Sequence, residues 1–127
     1  MRSYEVEKYR GYRDLRVFQL AYQLALDIFE VTKLFPKDEN TPWQIRRSSR
    51  SIPANLAEAW KKRRYEKAFV SKLVDCAGEA GETEVRLNFS KDFGYLGEDR
   101  YQELMDKYAE INRMLYGMAD KAYKFTG

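Results

Sequence analysis

The acidic residues Glu58, Glu79, Glu82 and Glu84 are the first candidates for chemistry, because carboxylates bind metal ions. A di-metal centre in a helical bundle also needs a Glu-x-x-His pair on each of two helices. The chain of 127 residues contains no His, so a centre of that kind is excluded. An all-carboxylate site is the remaining alternative to acids that are solvated or paired with Arg and Lys. The sequence predicts no metal and no cofactor.

The single cysteine, Cys76, is the other side chain with reactive potential. It falls on an apolar row, where a free cysteine behaves as a small hydrophobic residue. A nucleophilic thiol instead needs a nearby base and a polar, partly exposed setting. The sequence has no glycine-rich phosphate loop and no nucleophile elbow. Since His, the commonest general base, is also absent, the chain is predicted not to be an enzyme.

Basic residues are concentrated in one part of the chain. Residues 43–72 carry nine Lys and Arg against two acids, whereas residues 73–112 carry ten acids against four basic residues. Positive charge clustered on one element is typical of proteins that bind a phosphate backbone. The predicted nucleic-acid-binding residues are Arg46, Arg47, Arg50, Lys61, Lys62, Arg63, Arg64 and Lys67. Because the net charge is only +3, a solvated helix face without a ligand is the alternative.

Aromatic residues accompany the basic segment. Trp43, Trp60 and Tyr65 are candidates to stack on single-stranded bases. Aromatic residues make up 15% of the chain, and this class is enriched at protein interfaces. The basic part of one copy would also attract the acidic part of the next, a heterologous contact that closes into a ring if the rotation allows. We therefore expect a homo-oligomer, in which the basic residues face solvent, a pore or a neighbouring subunit.

Apolar spacing predicts helices throughout. Apolar residues recur every three or four positions in four segments: Asp14 to Phe35, Thr41 to Trp60, Tyr65 to about Asp92, and Tyr101 to Ala122. Thr41 and Gln44 are spaced as a capping box, and Gly94 suits the position after a helix. The turn between the second and third helices falls within Trp60–Arg64. Gly78 and Gly81 inside the third helix suggest close contact with a neighbouring helix.

The fold predicted from this pattern is all-α, an antiparallel up-down-up-down four-helix bundle. Residues 1–127 form one domain, in which residues 1–13 are an extended arm because they lack a helical stripe. Pro53 should kink the second helix; the alternative is a full break with Ser51 capping a new helix. No run of 18 apolar residues and no apolar signal region is present. A cytoplasmic protein without a membrane partner is expected.

Several segments resemble the bacterial four-helix-bundle proteins encoded in intervening sequences of 23S rRNA genes. These segments are DLRVFQLAYQLALDIFEVTKLFP, QIRRSSRSIPANLAEA, the pair Glu82 and Glu84, and FGYL. The resemblance extends from about Asp14 to Leu115, and it is most specific between Gln44 and Glu58.

This resemblance implies a left-handed antiparallel bundle that assembles as a homopentameric ring, without established enzymatic activity. It also implies kinship with the accessory bundle proteins of diversity-generating retroelements, which are thought to bind nucleic acid and a reverse transcriptase. The family's arginine pair falls on Arg46 and Arg47, its kink on Pro53, and its Asn and Glu on Asn55 and Glu58. The chain departs from the family where Ala59 replaces a glycine and KKRRY replaces a serine-led turn.

Two functions are consistent with these observations. The first is an oligomeric accessory protein that binds RNA or DNA through its basic surface. The second is a structural or protein-interaction module whose basic residues form an oligomer interface, with an unknown protein partner. The sequence does not specify a nucleic-acid target.

Overall fold

Four α-helices account for most of the computed structural model, which describes residues 8–37 and 40–126. They are α1 (Arg16–Thr32), α2 (Thr41–Lys61), α3 (Glu66–Asp92) and α4 (Glu98–Asp120). Short 3-10 turns at Tyr12–Asp14 and Ala122–Lys124 flank them, and the described residues contain no strand. The predicted all-α four-helix fold is confirmed.

Each helix packs against two others, so that the four surround one core. Helix α2 lies between α1 and α3, while α4 contacts α3 and α1. At one end of the bundle Tyr9 and Phe69 contact Phe125, and Tyr9 also meets Trp60 edge-on. At the other end Phe35, after α1, contacts Tyr95, which follows α3. Short connections therefore join helix ends that lie side by side.

The apolar rows found in the sequence form the core. Each fully buried Leu, Ile or Phe side chain contributes roughly 1.5–3 kcal/mol relative to an exposed one. Small polar groups among them are satisfied locally: the Thr83 hydroxyl donates to Ser48 Oγ at 2.9 Å across the α2–α3 interface. The core members with almost no exposed surface include Leu24, Ile28, Ile45, Ile52, Leu56, Phe69, Leu73, Leu87, Leu104, Tyr108, Ile111 and Leu115.

Helix α2 runs without interruption through Pro53. The alternative of a break capped by Ser51 is wrong, because Ser51 Oγ donates to the Arg47 carbonyl at 3.0 Å, a bond made within a continuous helix. Pro53 itself is buried. The kink at Pro53 stays a prediction.

The helix ends agree with most of the expected signals. Helix α2 stops at Lys61 and α3 starts at Glu66, so the connecting turn lies close to the range predicted for it. Gly94 has φ +80°, and its N–H donates to Lys91 O at 3.0 Å while Tyr95 N–H donates to Ser90 O at 2.9 Å. This pair of bonds is a Schellman motif, which requires a left-handed residue and favours glycine.

Three details of the helices differ from expectation. Thr41 lies inside α2 rather than at its cap, and the side chain of Gln44 accepts a bond from Arg86 instead of closing a capping box. The close contact predicted for Gly78 and Gly81 is wrong, because a Cβ at either position would have nothing within 4 Å. Helix α1 begins at Arg16, since Tyr12–Asp14 form a separate 3-10 turn.

The predicted N-terminal arm falls partly outside the described residues, which begin at Lys8. Within it, Tyr9 and Tyr12 are half-buried against the core. None of the described helices has the length and apolar character needed to cross a membrane.

Candidate nucleic-acid interface

One side of α2 is exposed along the whole helix. Its apolar residues face the core, so the positions between them share the opposite side. Helical spacing places six residues in one row on that side, and all six are exposed or half-exposed: three cations, two alanines and one tryptophan. The row consists of Trp43, Arg47, Arg50, Ala54, Ala57 and Lys61. We call the part of this row from Trp43 to Ala54, together with Arg46 and Ser51 at its edges, the α2 basic face.

Arg46 is held by two side chains of α1. Its Nε donates to Thr32 Oγ1 at 2.8 Å, and its guanidinium lies over the Phe29 ring, 4.7 Å from the centroid. Thr32 is buried and fixed in turn by a 2.7 Å bond from its hydroxyl to Ile28 O. Arg46 is therefore positioned by contacts between two helices rather than by α2 alone.

Arg50 lies against the same ring, with its guanidinium 5.7 Å from the Phe29 centroid. A cation near an aromatic face keeps its charge available to solvent while its side chain loses freedom. Arg46 and Arg50 are separated by one helical turn, about 6 Å along the axis. The guanidinium groups of Arg46 and Arg50 are thus preorganised side by side before a ligand binds.

Arg47 lies on the other edge, towards two acids of α3. The hydrogen bond from Arg86 lowers the pKa of Glu82, and the positive charge of Arg47 adds to that effect and acts in the same direction on Glu79. The pKa of Glu79 is nevertheless raised overall, because burial and the charge of Glu82 outweigh the attraction. Neither the Arg47 side chain nor the Arg50 side chain forms a hydrogen bond or ion pair with another described residue.

An open depression of about 460 Å³ lies on this face. It is lined by Trp43, Arg46, Arg47, Arg50, Ser51 and Ala54. The Trp43 side chain is 68% exposed. The small side chain of Ala54 does not fill the bottom of the depression. The depression thus combines three guanidinium groups with one uncovered indole.

A second, apolar hollow of about 580 Å³ adjoins the first on the α1 side. The two share Arg50 and Ala54, so Arg50 stands between them. Phe29 and Pro53 form part of its floor, and Tyr22 is half-exposed at its edge. Aromatic surface therefore lies on both sides of Arg50.

The remaining predicted cations lie at the far end of α2, in the turn after it and at the start of α3. Arg50 and Lys61 are about 16 Å apart along the helix axis. Lys62 is paired with Glu58 at 3.0 Å, and Arg63 stacks 4.1 Å from the Trp60 ring while donating to Trp60 O at 2.9 Å. The eight predicted residues therefore form two groups rather than one site.

The other cations of the turn are exposed and lack an ion pair among the described residues. Arg64 lies 5.8 Å from the Tyr65 ring, at the first residues of α3. Lys61 and Lys67 are exposed. Trp60 is only 4% exposed, so this candidate stacking residue belongs to the core.

Phe29 and Thr32 were not predicted as parts of the site. Phe29 falls within the apolar spacing of the first helix, which indicates burial but gives no hint of an arginine partner. Only the packing of α1 on α2 brings them to Arg46 and Arg50.

Three of the four carboxylates considered as an alternative metal site are paired with basic or amide groups, and the pKa of the fourth, Glu79, is raised by burial and by the charge of Glu82. Glu58 binds Lys62 and Lys72, both at 3.0 Å, and these bonds lower its pKa. Glu82 accepts from Arg86 at 2.6 Å. Glu84 lies 3.4 Å from the amide nitrogen of Asn112. Among the described residues no group of three ligands is close enough to hold a metal ion.

Cys76 lies in the core, where its thiol points to the Ile52 carbonyl at 3.6 Å. Burial raises the pKa of this thiol to about 12. Since the reactive form is the thiolate, Cys76 is a packing residue.

Comparison with known proteins identifies the family. A family model described as 23S rRNA-intervening sequence protein matches residues 13–117, a range that includes α1 to α3 and most of α4. The chain belongs to the 23S rRNA-intervening sequence protein family. The resemblance inferred from the sequence is thereby confirmed, and the α2 basic face lies within the matched range.

A solved structure supports the same assignment. It is a protein with unknown function from the S23 ribosomal protein family of Bacteroides thetaiotaomicron, and it is 27% identical to this chain with a TM-score of 0.74. The match covers 81% of this chain and 97% of that protein. No curated protein matches the chain.

Proposed function

We propose that this member of the 23S rRNA-intervening sequence family is a non-enzymatic, oligomeric protein that binds RNA or DNA through the α2 basic face. The observation that carries the proposal is the open depression of Trp43, Arg46, Arg47 and Arg50. Two of its guanidinium groups are held on one ring, Phe29, with their charges exposed to a ligand. Rigid arginines of this kind lose little entropy when they bind phosphate oxygens.

The distribution of charge favours a polyanion as the ligand. The positive charge of residues 43–72 is matched by negative charge in residues 73–112, and much of the negative charge is already paired on α3 and α4. Glu82 is bound to Arg86, and Glu103 to Arg100. The three arginines of the depression form no ion pair among the described residues, so their positive charge remains available to a polyanion.

The residues with catalytic potential support a non-enzymatic role. Cys76 is buried with a raised pKa, and Glu58 and Glu82 are neutralised by basic neighbours. These groups are used in packing and ion pairs, so none is prepared to act as a nucleophile or general base.

The oligomer is part of the same proposal, and the resemblance suggests a homopentamer. Helices α3 and α4, together with the residue that follows α3, carry large apolar side chains that the protomer leaves half-exposed or more, which favours contact with another copy. They are Val74, Val85, Phe89, Phe93 and Tyr116. These residues are separate from the α2 basic face, so assembly through them would leave that face available. A cytoplasmic location is part of the same proposal.

The proposal is tested by reversing the charges of Arg46, Arg47 and Arg50 to Glu in the full chain. We expect binding to a mixed-sequence RNA to be lost while the helical circular dichroism is retained. The matched control carries the same change of charge at the other group, Lys61, Arg64 and Lys67 to Glu, and should weaken binding only modestly. Unchanged binding in the first variant refutes the assignment.

The same variants address the rival function. If the basic residues form an oligomer interface, the Arg46, Arg47 and Arg50 variant should dissociate the oligomer in light scattering without any loss of RNA binding per protomer. That outcome would assign the α2 basic face to assembly and direct the search to a protein partner.

A further inference from the structure

The indole of Trp43 is the unexplained feature of the α2 basic face. A tryptophan buries 150–250 Å² when it packs, yet this one is 68% exposed and contacts no other aromatic ring among the described residues. It is not an isolated exposed aromatic residue, because it lies in the same depression as three arginines. Its ring is therefore accessible to a ligand whose charge the arginines would neutralise.

The geometry points to a single-stranded nucleic acid as the ligand, with one base stacked on Trp43 and its phosphates on Arg46 and Arg50. This inference rests on the proposed function and specifies the form of nucleic acid that is bound. A flat indole on an open surface recognises the face of a base, and that face is available only when the base is unpaired and unstacked. A duplex presents phosphates to the same arginines but keeps its bases inside.

The contacts around Arg50 favour a strand over a compact anion. Arg50 stands between the depression of Trp43 and the apolar hollow that Phe29 and Tyr22 line. A chain that alternates phosphates with bases can place charge on the arginine and flat apolar surface on each side of it. A free phosphate would use the arginines and leave both hollows empty.

The position of the other tryptophan makes the site directly observable. Trp60 is 4% exposed beneath Arg63 and Tyr9, so a strand that binds the α2 basic face does not reach it. Quenching of fluorescence by a stacked base will therefore come from Trp43. Saturable quenching by a single strand, absent in Trp43→Phe, is the expected signature.

The decisive measurement compares binding of a single-stranded RNA of about 20 nucleotides with binding of the same RNA annealed to its complement. Trp43→Ala should weaken single-strand binding roughly 5- to 150-fold and change duplex binding less than about 2-fold. Trp43→Phe should retain most of the single-strand affinity, because phenylalanine keeps a stacking surface. A DNA strand of the same sequence tests whether the ribose hydroxyl contributes.

Controls separate this inference from the proposed function. Tyr123→Ala removes a similarly exposed aromatic residue, 64% accessible, from the 3-10 turn after α4 and should leave both affinities unchanged. If Trp43→Ala weakens neither ligand, or both equally, while reversal of the three arginines abolishes binding, stacking is refuted and the proposed function stands. If reversal of the arginines has no effect, the proposed function fails first.

Discussion

Replacing Arg50 by Gln should reduce the salt dependence of single-strand binding by a calculable amount. Each phosphate that a cation neutralises contributes about −0.7 to the slope of log affinity against log salt. The depression contains three guanidinium groups, Arg46, Arg47 and Arg50. The expected slope is therefore about −2.1, and affinity should fall about 18-fold between about 50 and 200 mM salt.

The Arg50→Gln variant removes one of the three phosphate contacts and so makes the slope shallower. Arg50→Gln should give about −1.4, and the same increase in salt should then reduce affinity only about 7-fold. Gln keeps most of the packing of the stem, so the loss is one of charge. The assay is fluorescence anisotropy of a labelled single strand, titrated at four or more salt concentrations.

The magnitude of the salt slope distinguishes a site of three arginines from a site that uses all eight predicted cations. If all eight predicted cations contacted phosphates, the slope would be about −5.6, and affinity would fall about 2,000-fold over the same range. A slope steeper than about −4 would therefore show that the turn after α2 also binds. A slope near zero, or one that Arg50→Gln does not change, would refute phosphate contact by the α2 basic face.

Three further predictions concern the bundle. Cys76 should not react with a thiol reagent near pH 8 until the protein is unfolded, because burial raises its pKa to about 12; rapid native labelling would contradict its place in the core. The hydroxyl of Tyr108 is buried without a hydrogen-bond partner among the described residues, so Tyr108→Phe should raise the free energy of unfolding by about 1 kcal/mol in urea titrations; a loss of stability would mean that the hydroxyl is bonded. Glu79→Gln removes a like-charge pair with Glu82 and should stabilise the protein by about 0.2–0.5 kcal/mol at pH 7. Since the folded pKa of Glu79 is raised, that gain should disappear as the pH falls below the ordinary value of 4.5, and a gain that persists there would contradict the electrostatic cause.

The spacing of apolar residues is sufficient to predict the helices, because each helix buries a continuous apolar row. Leu24 and Ile28, or Leu104 and Tyr108, recur at the spacing of a helical face, and burial of such a face specifies the element whatever its partners are. Gly94 can also be predicted from the sequence, because the left-handed conformation at a helix end depends only on the residues next to it. The glycines inside α3 were misread because their surroundings depend on a neighbouring helix that the sequence does not locate.

The candidate site shows the limit of local information. The sequence determines that Arg46, Arg47 and Arg50 share one side of a helix, because their spacing fixes it. It does not determine that Phe29 and Thr32 of α1 hold two of these arginines, or that Trp43 is exposed while Trp60 is buried. Those facts depend on contacts between residues far apart in the chain. Tertiary packing therefore decided which cations and aromatic rings are free to bind a ligand, because packing determines which side chains remain accessible to solvent.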